Sequence, residues 1–257
     1  MNSCISQCSV SARSRRRVHR SWPAALGAAL LIVTGAAQAD DFIVYSPHLL
    51  NGQSEIELRG YRYDDERTDF NAGGAAELSV AHTFTPWWKS EIYLAKYEKT
   101  PDAPGRLIGY EFENTFQLTQ PGQYWADVGM LASYEHQTVA GRPDAVEFGP
   151  LFEKTVGRFD HTANLIWEKQ VGAGAGGKYE FRYSYSGTYA VSAAFRPGLE
   201  AYGRPSDSAY QAGPIVAGEW HIPGTSSDLE YRFGVLLGIN DAAPRRTWLA
   251  RVEYEFF

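Results

Sequence analysis

From Gln53 onward the chain repeats one unit, roughly ten residues of strict alternation followed by a turn. The units fall at approximately 53–63, 73–84, 88–97, 107–118, 123–135, 145–155, 159–169, 178–186, 190–203, 210–221, 228–239 and 247–256. In the fourth, Ile108, Tyr110, Phe112, Phe116 and Leu118 alternate with Gly109, Glu111, Glu113, Thr115 and Gln117. In the eighth, Tyr179, Phe181, Tyr183 and Tyr185 alternate with Glu180, Arg182 and Ser184. The eleventh sets Leu229, Tyr231, Phe233, Val235, Leu237 and Ile239 against Glu230, Arg232, Gly234 and Gly238. Side chains of a strand point alternately to its two faces, so each unit has one greasy aromatic face and one charged face. Soluble sandwiches also alternate, but with shorter strands. The pattern predicts an all-β chain: a single transmembrane, up-and-down antiparallel β-barrel of about 12 strands, with 10 to 14 compatible.

The connections support this. Thr85–Trp87, Thr119–Gly122, Val156–Arg158 and Gly187–Thr188 read as tight, and Ile222–Asp228 as a longer exception. Asp64–Ala72, Glu98–Arg106, His136–Asp144, Gln170–Gly177, Gly203–Ala209 and Asn240–Arg246 read as long and polar. Tight turns at one end and loops at the other, with both termini in the periplasm, is the expected layout and requires an even strand number. Aromatic rings sort by strand end. Trp88, Tyr124 and Trp220 fall near the turn end, and Trp167, Tyr179 and Trp248 near the loop end, as two interfacial girdles would. Arg196-Pro197-Gly198 interrupts the ninth unit, where proline implies an edge, a bulge or a kink.

Residues 1–39 read as a secretory signal peptide. Arg13, Arg15, Arg16, Arg17 and Arg20 form the basic region, Pro23–Thr34 the apolar stretch, and Ala37-Gln38-Ala39 the cleavage site. A twin-arginine reading of Ser14–Arg17 lacks the rest of that motif. The remaining domain, 40–257, has no cysteine, since Cys4 and Cys8 leave with the leader, so thiol chemistry and thiolate metal sites are excluded. Without the five leader arginines, 19 Lys+Arg face 30 Asp+Glu, a net charge of −11, which argues against nucleic acid as a partner. The mean hydropathy of −0.35 excludes a helical membrane bundle yet suits a barrel, in which only alternate residues meet lipid.

Motifs that suggest chemistry have plainer readings. Gly172–Lys178 satisfies a glycine-rich phosphate pattern, but a strand follows it where a helix N-terminus is needed, so a hairpin loop is expected. His48, His82, His136, His161 and His221 show no paired-ligand spacing, and no metal or other cofactor is expected. Outer-membrane phospholipases set a His beside a Ser. Here the Ser is missing and His161 falls on the lipid-facing register, so no catalytic residue is assigned. Asp64, Asp65, Asp69 and His136 could in principle gather at the outer rim as the Asp/His cluster of omptin-like proteases does, although a solvated acidic loop is the simpler reading.

Charged residues on the lipid face would cost about 2–4 kcal/mol at the midplane, so those of the strands must face the lumen. The lumen-lining candidates are Glu111, Glu113, Glu180, Arg182, Glu230, Arg232, Arg251 and Glu253, within a larger set that includes Glu77, Glu91, Glu147, Glu153, Glu168, Glu219 and Lys89. Either Glu–Arg pairs knit across the lumen and plug it, or water fills a narrow acidic passage. The excess of carboxylates tilts the reading toward a wet, mildly cation-favouring interior.

The last unit places Trp248, Val252, Tyr254 and Phe256 on one face, with Phe257 one residue beyond. It resembles the closing strand of bacterial outer-membrane β-barrels, which the barrel-assembly machinery of that family reads as its insertion signal. Strand layout, together with Val80–Trp88 (VAHTFTPWW) and Gly198–Gly203 (GLEAYG), also resembles the small transporters associated with phenol meta-pathway degradation operons. These resemblances imply an outer-membrane location among lipid and passage of a small solute, with no functional residue carried over. The expected function is a channel or transporter with a narrow acidic lumen and no enzymatic activity. A non-conducting structural or adhesion barrel is the alternative, and an outer-membrane hydrolase a more remote one.

Overall fold

The structure, a computed structural model, describes residues 42–257, so the expected leader lies outside the described residues. Twelve antiparallel strands form one closed barrel. They are β1 (Ser54–Asp64), β2 (Gly74–Thr85), β3 (Trp88–Lys99), β4 (Arg106–Gln117), β5 (Asp127–Gln137) and β6 (Asp144–Val156). There follow β7 (Phe159–Val171), β8 (Tyr179–Tyr189), β9 (Arg196–Arg204), β10 (Ala209–His221), β11 (Asp228–Gly238) and β12 (Arg246–Phe256). Each strand pairs with its chain neighbours, and β1 closes on β12 in an unbroken register from Ser54↔Phe256 to Asp64↔Arg246. Closure leaves no unpaired edge, the condition a sheet must meet inside hydrocarbon.

The alternation sorts the residues as the lipid requires. On β1, Glu55, Glu57, Arg59 and Tyr61 are buried inside, while Ile56 and Leu58 are exposed outside. The same holds for β4, where Glu111, Glu113 and Thr115 are buried and Tyr110 and Phe112 exposed. The exterior is thus apolar and the interior ionic, the reverse of a soluble domain.

Four expectations are corrected. Ile108, placed on the lipid face by parity, is only 1% exposed, because the pairing steps from Lys96↔Gly109 to Tyr97↔Leu107 and leaves Ile108 as an extra residue of β4, turned inward. The connection at Thr119–Gly122 is not tight. Strand β5 begins only at Asp127, whose carboxylate accepts from Gly122 N (2.6 Å), while Thr119 Oγ1 accepts from Val128 N (2.8 Å). Tyr124 therefore sits exposed in this turn rather than on a strand. Gly187–Thr188 is not a turn either, since β8 runs on to Tyr189 and the chain reverses through 190–195. Finally, the described chain does not begin at the turn end. Phe42 packs edge-on against Tyr61 (4.7 Å between centroids) and Tyr202 (5.3 Å), toward the loop end and inside the barrel.

Pro197 sits in β9 opposite Val216, but the β8–β9 ladder ends at Thr188↔Gly198, so its missing N–H leaves no rung unfilled there. The glycine-rich segment 172–178 is a hairpin loop as expected, with Gly172 and Gly174 at φ 84° and 82°, a region open chiefly to glycine.

Candidate functional site: the barrel lumen

Register dictates where the lumenal charges meet. Arg232 of β11 lies directly opposite Arg251 of β12, which lies opposite Arg59 of β1. Two residues along each strand runs a parallel row, Glu230, Glu253 and Glu57. Like charges directly opposite are unfavourable. Stacking one basic row beside one acidic row lets every guanidinium reach carboxylates diagonally or along its own strand. Arg251 pairs with Glu57 and Glu253, and Arg232 with Glu200. Arg59 reaches Glu77 at 2.7 Å and Glu57 at 3.4 Å. Lys96, fully buried, carries the row on to Glu111 (2.6 Å), Glu135 (3.2 Å) and Glu77 (3.4 Å). Across the lumen Arg182 pairs with Glu147.

The wall from β3 to β8 is different. Glu91, Glu113, Ser133, Glu147, Glu168 and Glu180 are successive cross-strand partners, a row that is acidic except for one serine. The lumen is thus polarised across its width, ion-paired on the β11–β12–β1 side and rich in carboxylates opposite.

Residues 42–49 run down the lumen from the loop end to the turn end. Eight residues can span up to about 26 Å when fully extended, close to the height of a membrane barrel's apolar band. Asn164, wholly buried on β7, clamps this segment. Its Oδ1 accepts from Tyr45 N (2.8 Å) and its Nδ2 donates to Tyr45 O (2.9 Å). Below it, Ser46 Oγ donates to Glu153 (2.7 Å), His48 bridges Asp127 (3.0 Å) and Glu153 (3.3 Å), and Leu49 N donates to Gln117 (2.9 Å). Gly129 makes room for Pro47, because a Cβ there would stand 2.8 Å from the proline's own. Above the clamp, Ile43 and Tyr45 pack on Leu131, Leu151 and Ile166, and Val44 on Tyr61, Tyr202, Ile215, Leu236 and Leu249. These inward apolar residues, out of place in a purely ionic lumen, exist to receive the segment. A cavity of about 20 Å³ remains beside it, room for roughly one water, and another of about 60 Å³ lies between β9 and β12.

All eight lumen-lining candidates face inward. Glu111, Arg232, Arg251 and Glu253 join the network around β12, β1 and β4, Glu113 faces Glu91 without joining it, and Glu180 and Arg182 belong to the opposite wall. Glu230 stands in the acidic row beside Glu253. Arg59, Glu57, Lys96 and the clamp Asn164 were missed. Parity alone exposes the first two, whereas the shift in β3 hides Lys96. Of the girdle, Tyr179, Trp220 and Trp248 are exposed outward, Trp167 is half-buried against Phe148 and Phe181, and Trp88 donates Nε1–H to Asn114 (2.9 Å). The closing strand shows Trp248, Val252 and Tyr254 outward, with Phe256 stacked on Tyr254 (5.5 Å) and Phe257 exposed beyond. The segment Val80–Trp88 supplies girdle aromatics, Phe84 stacking on Trp88 (4.9 Å), whereas Glu200 and Tyr202 of Gly198–Gly203 face the lumen.

No hydrolytic constellation forms from the residues considered for one. His161 bonds Tyr185 Oη on the outer face (2.7 Å), His136 is taken by Asp144 (3.0 Å), and Asp65 by Arg67 (2.6 Å). Among the described residues, Glu55, Glu253 and Glu255 bring carboxylate oxygens within 4.8 Å of one another. Lys89 already holds Glu55 (2.8 Å), and Arg251 holds Glu253.

No protein-family model and no curated protein matches the chain. Among solved structures it is similar to an outer membrane channel from Pseudomonas putida F1, with a TM-score of 0.56 at 9% identity over 84% of this chain and 99% of that one. More distant likenesses are the NanC porin (TM-score 0.49, 10% identity, 79% and 99% covered) and the CymD monoaromatic hydrocarbon channel (0.42, 10%, 81% and 89%). The first shows the fold. The molecule is a closed twelve-strand β-barrel with the fold of that outer membrane channel.

Proposed function

We propose that the protein is an outer-membrane channel for small solutes whose lumen is held shut by its own residues 42–49. The observation that carries this is the wall: an apolar exterior around a charged interior in which carboxylates outnumber cations on the β3–β8 side. The clamp at Asn164 is a pair of hydrogen bonds plus apolar packing, strong enough to close the lumen and weak enough to release it. The acidic β3–β8 wall favours cationic or polar solutes on the open path. Resemblance of Gly198–Gly203, which turns Glu200 and Tyr202 into the lumen, to transporters of phenol-degradation operons makes small organic molecules the first solutes to try.

Planar-bilayer recording tests the reading. Rare, brief openings are expected from the intact protein. A flat baseline from well-folded protein, even after the segment is deleted, would exclude a channel. The tightly filled lumen favours one competitor, a non-conducting structural barrel, which liposome swelling in small sugars or phenols would refute.

Lipid and the assembly machinery are the partners this reading requires. The outward face of β12 is what the machinery would recognise, so Phe256→Ala should slow assembly, measured as accumulation of the unfolded, heat-insensitive gel form. Unchanged kinetics would remove that role.

A further inference from the structure

Among the described residues, Glu113 is the one carboxylate whose two oxygens are both buried and both without a hydrogen-bond partner. It is 1% exposed. Directly opposite on β3 is Glu91, also buried. Glu91 accepts a hydrogen bond from Ser79 Oγ, and its nearest ammonium, Lys89, stands 3.9 Å away while holding Glu55 at 2.8 Å. The other cations of this wall are engaged elsewhere: Lys96 by three carboxylates, and Arg59 by Glu77 and Glu57. Two further buried oxygens without partners among the described residues belong to residues neighbouring this pair in the register. They are Ser133 Oγ, on the residue opposite Glu113, and Tyr93 Oη, on a fully buried side chain two residues along from Glu91.

Two buried carboxylates facing each other across a pair of strands repel, and buried charge without a counter-charge is not tolerated. A proton on Glu113 would cancel one charge but leave Glu91 buried and sharing its nearest ammonium with Glu55. A hard cation satisfies both oxygens and Glu91 together. We propose that Glu113 and Glu91 hold a divalent cation of the calcium type in the lumen wall, with the hydroxyls of Ser133 and Tyr93 as adjacent oxygen donors. Calcium accepts six to eight oxygens in irregular geometry at about 2.3–2.6 Å, water completing the shell, whereas magnesium demands a regular octahedron. The site depends on barrel register alone and stands whether or not the lumen conducts.

The test is calorimetric titration of chelator-stripped, lipid-free protein in detergent with calcium chloride. One saturable site is expected in the wild type, weakened at least tenfold in Glu113→Gln and several-fold in Ser133→Ala. Glu255→Gln, which alters the separate acidic group near the turn end, should leave it unchanged. Each variant is first checked for heat-modifiable migration, and if Glu113→Gln does not fold, Ser133→Ala decides. The proposal is overturned by a wild type with no saturable calcium site, by unchanged affinity in the folded Glu113 and Ser133 variants, or by loss of binding in Glu255→Gln.

Discussion

One ammonium group, Lys96 Nζ, answers to three carboxylates, and its removal leaves Glu111 and Glu135 buried without that shared cation. Breaking a buried ion pair from one side costs about 3–5 kcal/mol, because the stranded charge keeps its desolvation penalty. Lys96→Met should therefore lower the unfolding free energy of the barrel, read from urea titration in lipid vesicles, by that amount, whereas removal of a rim pair such as Arg246–Asp64, both half-exposed, should cost under about 1 kcal/mol. Asp65 makes a second residue-scale prediction. Hydrogen bonds from the Arg67 side chain (2.9 and 2.6 Å), with backbone N–H groups of Arg67 (2.9 Å) and Arg245 (2.7 Å), hold its carboxyl well below the usual carboxylate range. A carboxyl depressed in the folded state contributes stability that is complete above its ordinary pKa of about 4 and is lost only as pH falls through the lower folded value. Arg67 in turn donates to Ala243 O (2.7 Å), tying loop 65–73 to loop 239–245 over the β1–β12 seam. Amide exchange in 66–73 should stay slow from pH 7 to about pH 4. In Asp65→Asn it should already be fast at pH 7.

At the scale of elements, the proposed gate is the segment 42–49. It adds no rung to the barrel ladder, and Asn164 is its one fully buried polar anchor on the wall. Asn164→Ala removes both hydrogen bonds while leaving β7 paired on each side, so open probability in bilayers should rise at least tenfold for a loss of about 2 kcal/mol, with melting little changed. Open probability equal to wild type would mean that the segment does not gate. This element was also the least legible in the sequence. Phe42–Tyr45 is a short apolar run with no period to read, directly after the expected cleavage point, and its receiving surface, Leu131, Leu151 and Ile166, is a scatter of inward apolar residues with no local signature. The strands were legible because lipid enforces their alternation from Ile56 to Phe256. Parity failed where the backbone inserts a residue: the shift between Tyr93 and Tyr97 concealed Lys96 and inverted Ile108, and no composition marks that position. The overrun of β8 through Gly187 was missed because glycine followed by threonine reads as a turn, when here it is a rung opposite Leu199.

For the whole molecule, the decisive quantity is the difference between the two walls. On the β11–β12–β1 side each guanidinium has its carboxylates, so that face presents little net field to a passing ion. On the β3–β8 side Glu113, Glu147, Glu168 and Glu180 share the row with a single arginine, Arg182, two residues along from Glu180. In the proposed open state, an ion entering the lumen would therefore meet a net negative potential, concentrated by low-dielectric walls. The field of these fixed charges is screened over about 30 Å at 0.01 M salt and about 3 Å at 1 M. The Asn164→Ala channel should accordingly prefer potassium over chloride in dilute salt, and the preference should fade toward unity as salt approaches molar. Reversal potentials in a tenfold gradient read this directly. Replacing Glu168 and Glu180 together by Gln should cut the dilute-salt preference, because it removes two negative charges from the carboxylate-rich wall. Replacing Arg232 and Glu200 together should leave it nearly untouched, because that change deletes a neutral pair. Anion preference at low salt, or equal sensitivity to the two double substitutions, would show that the permeating ion does not pass along the acidic wall.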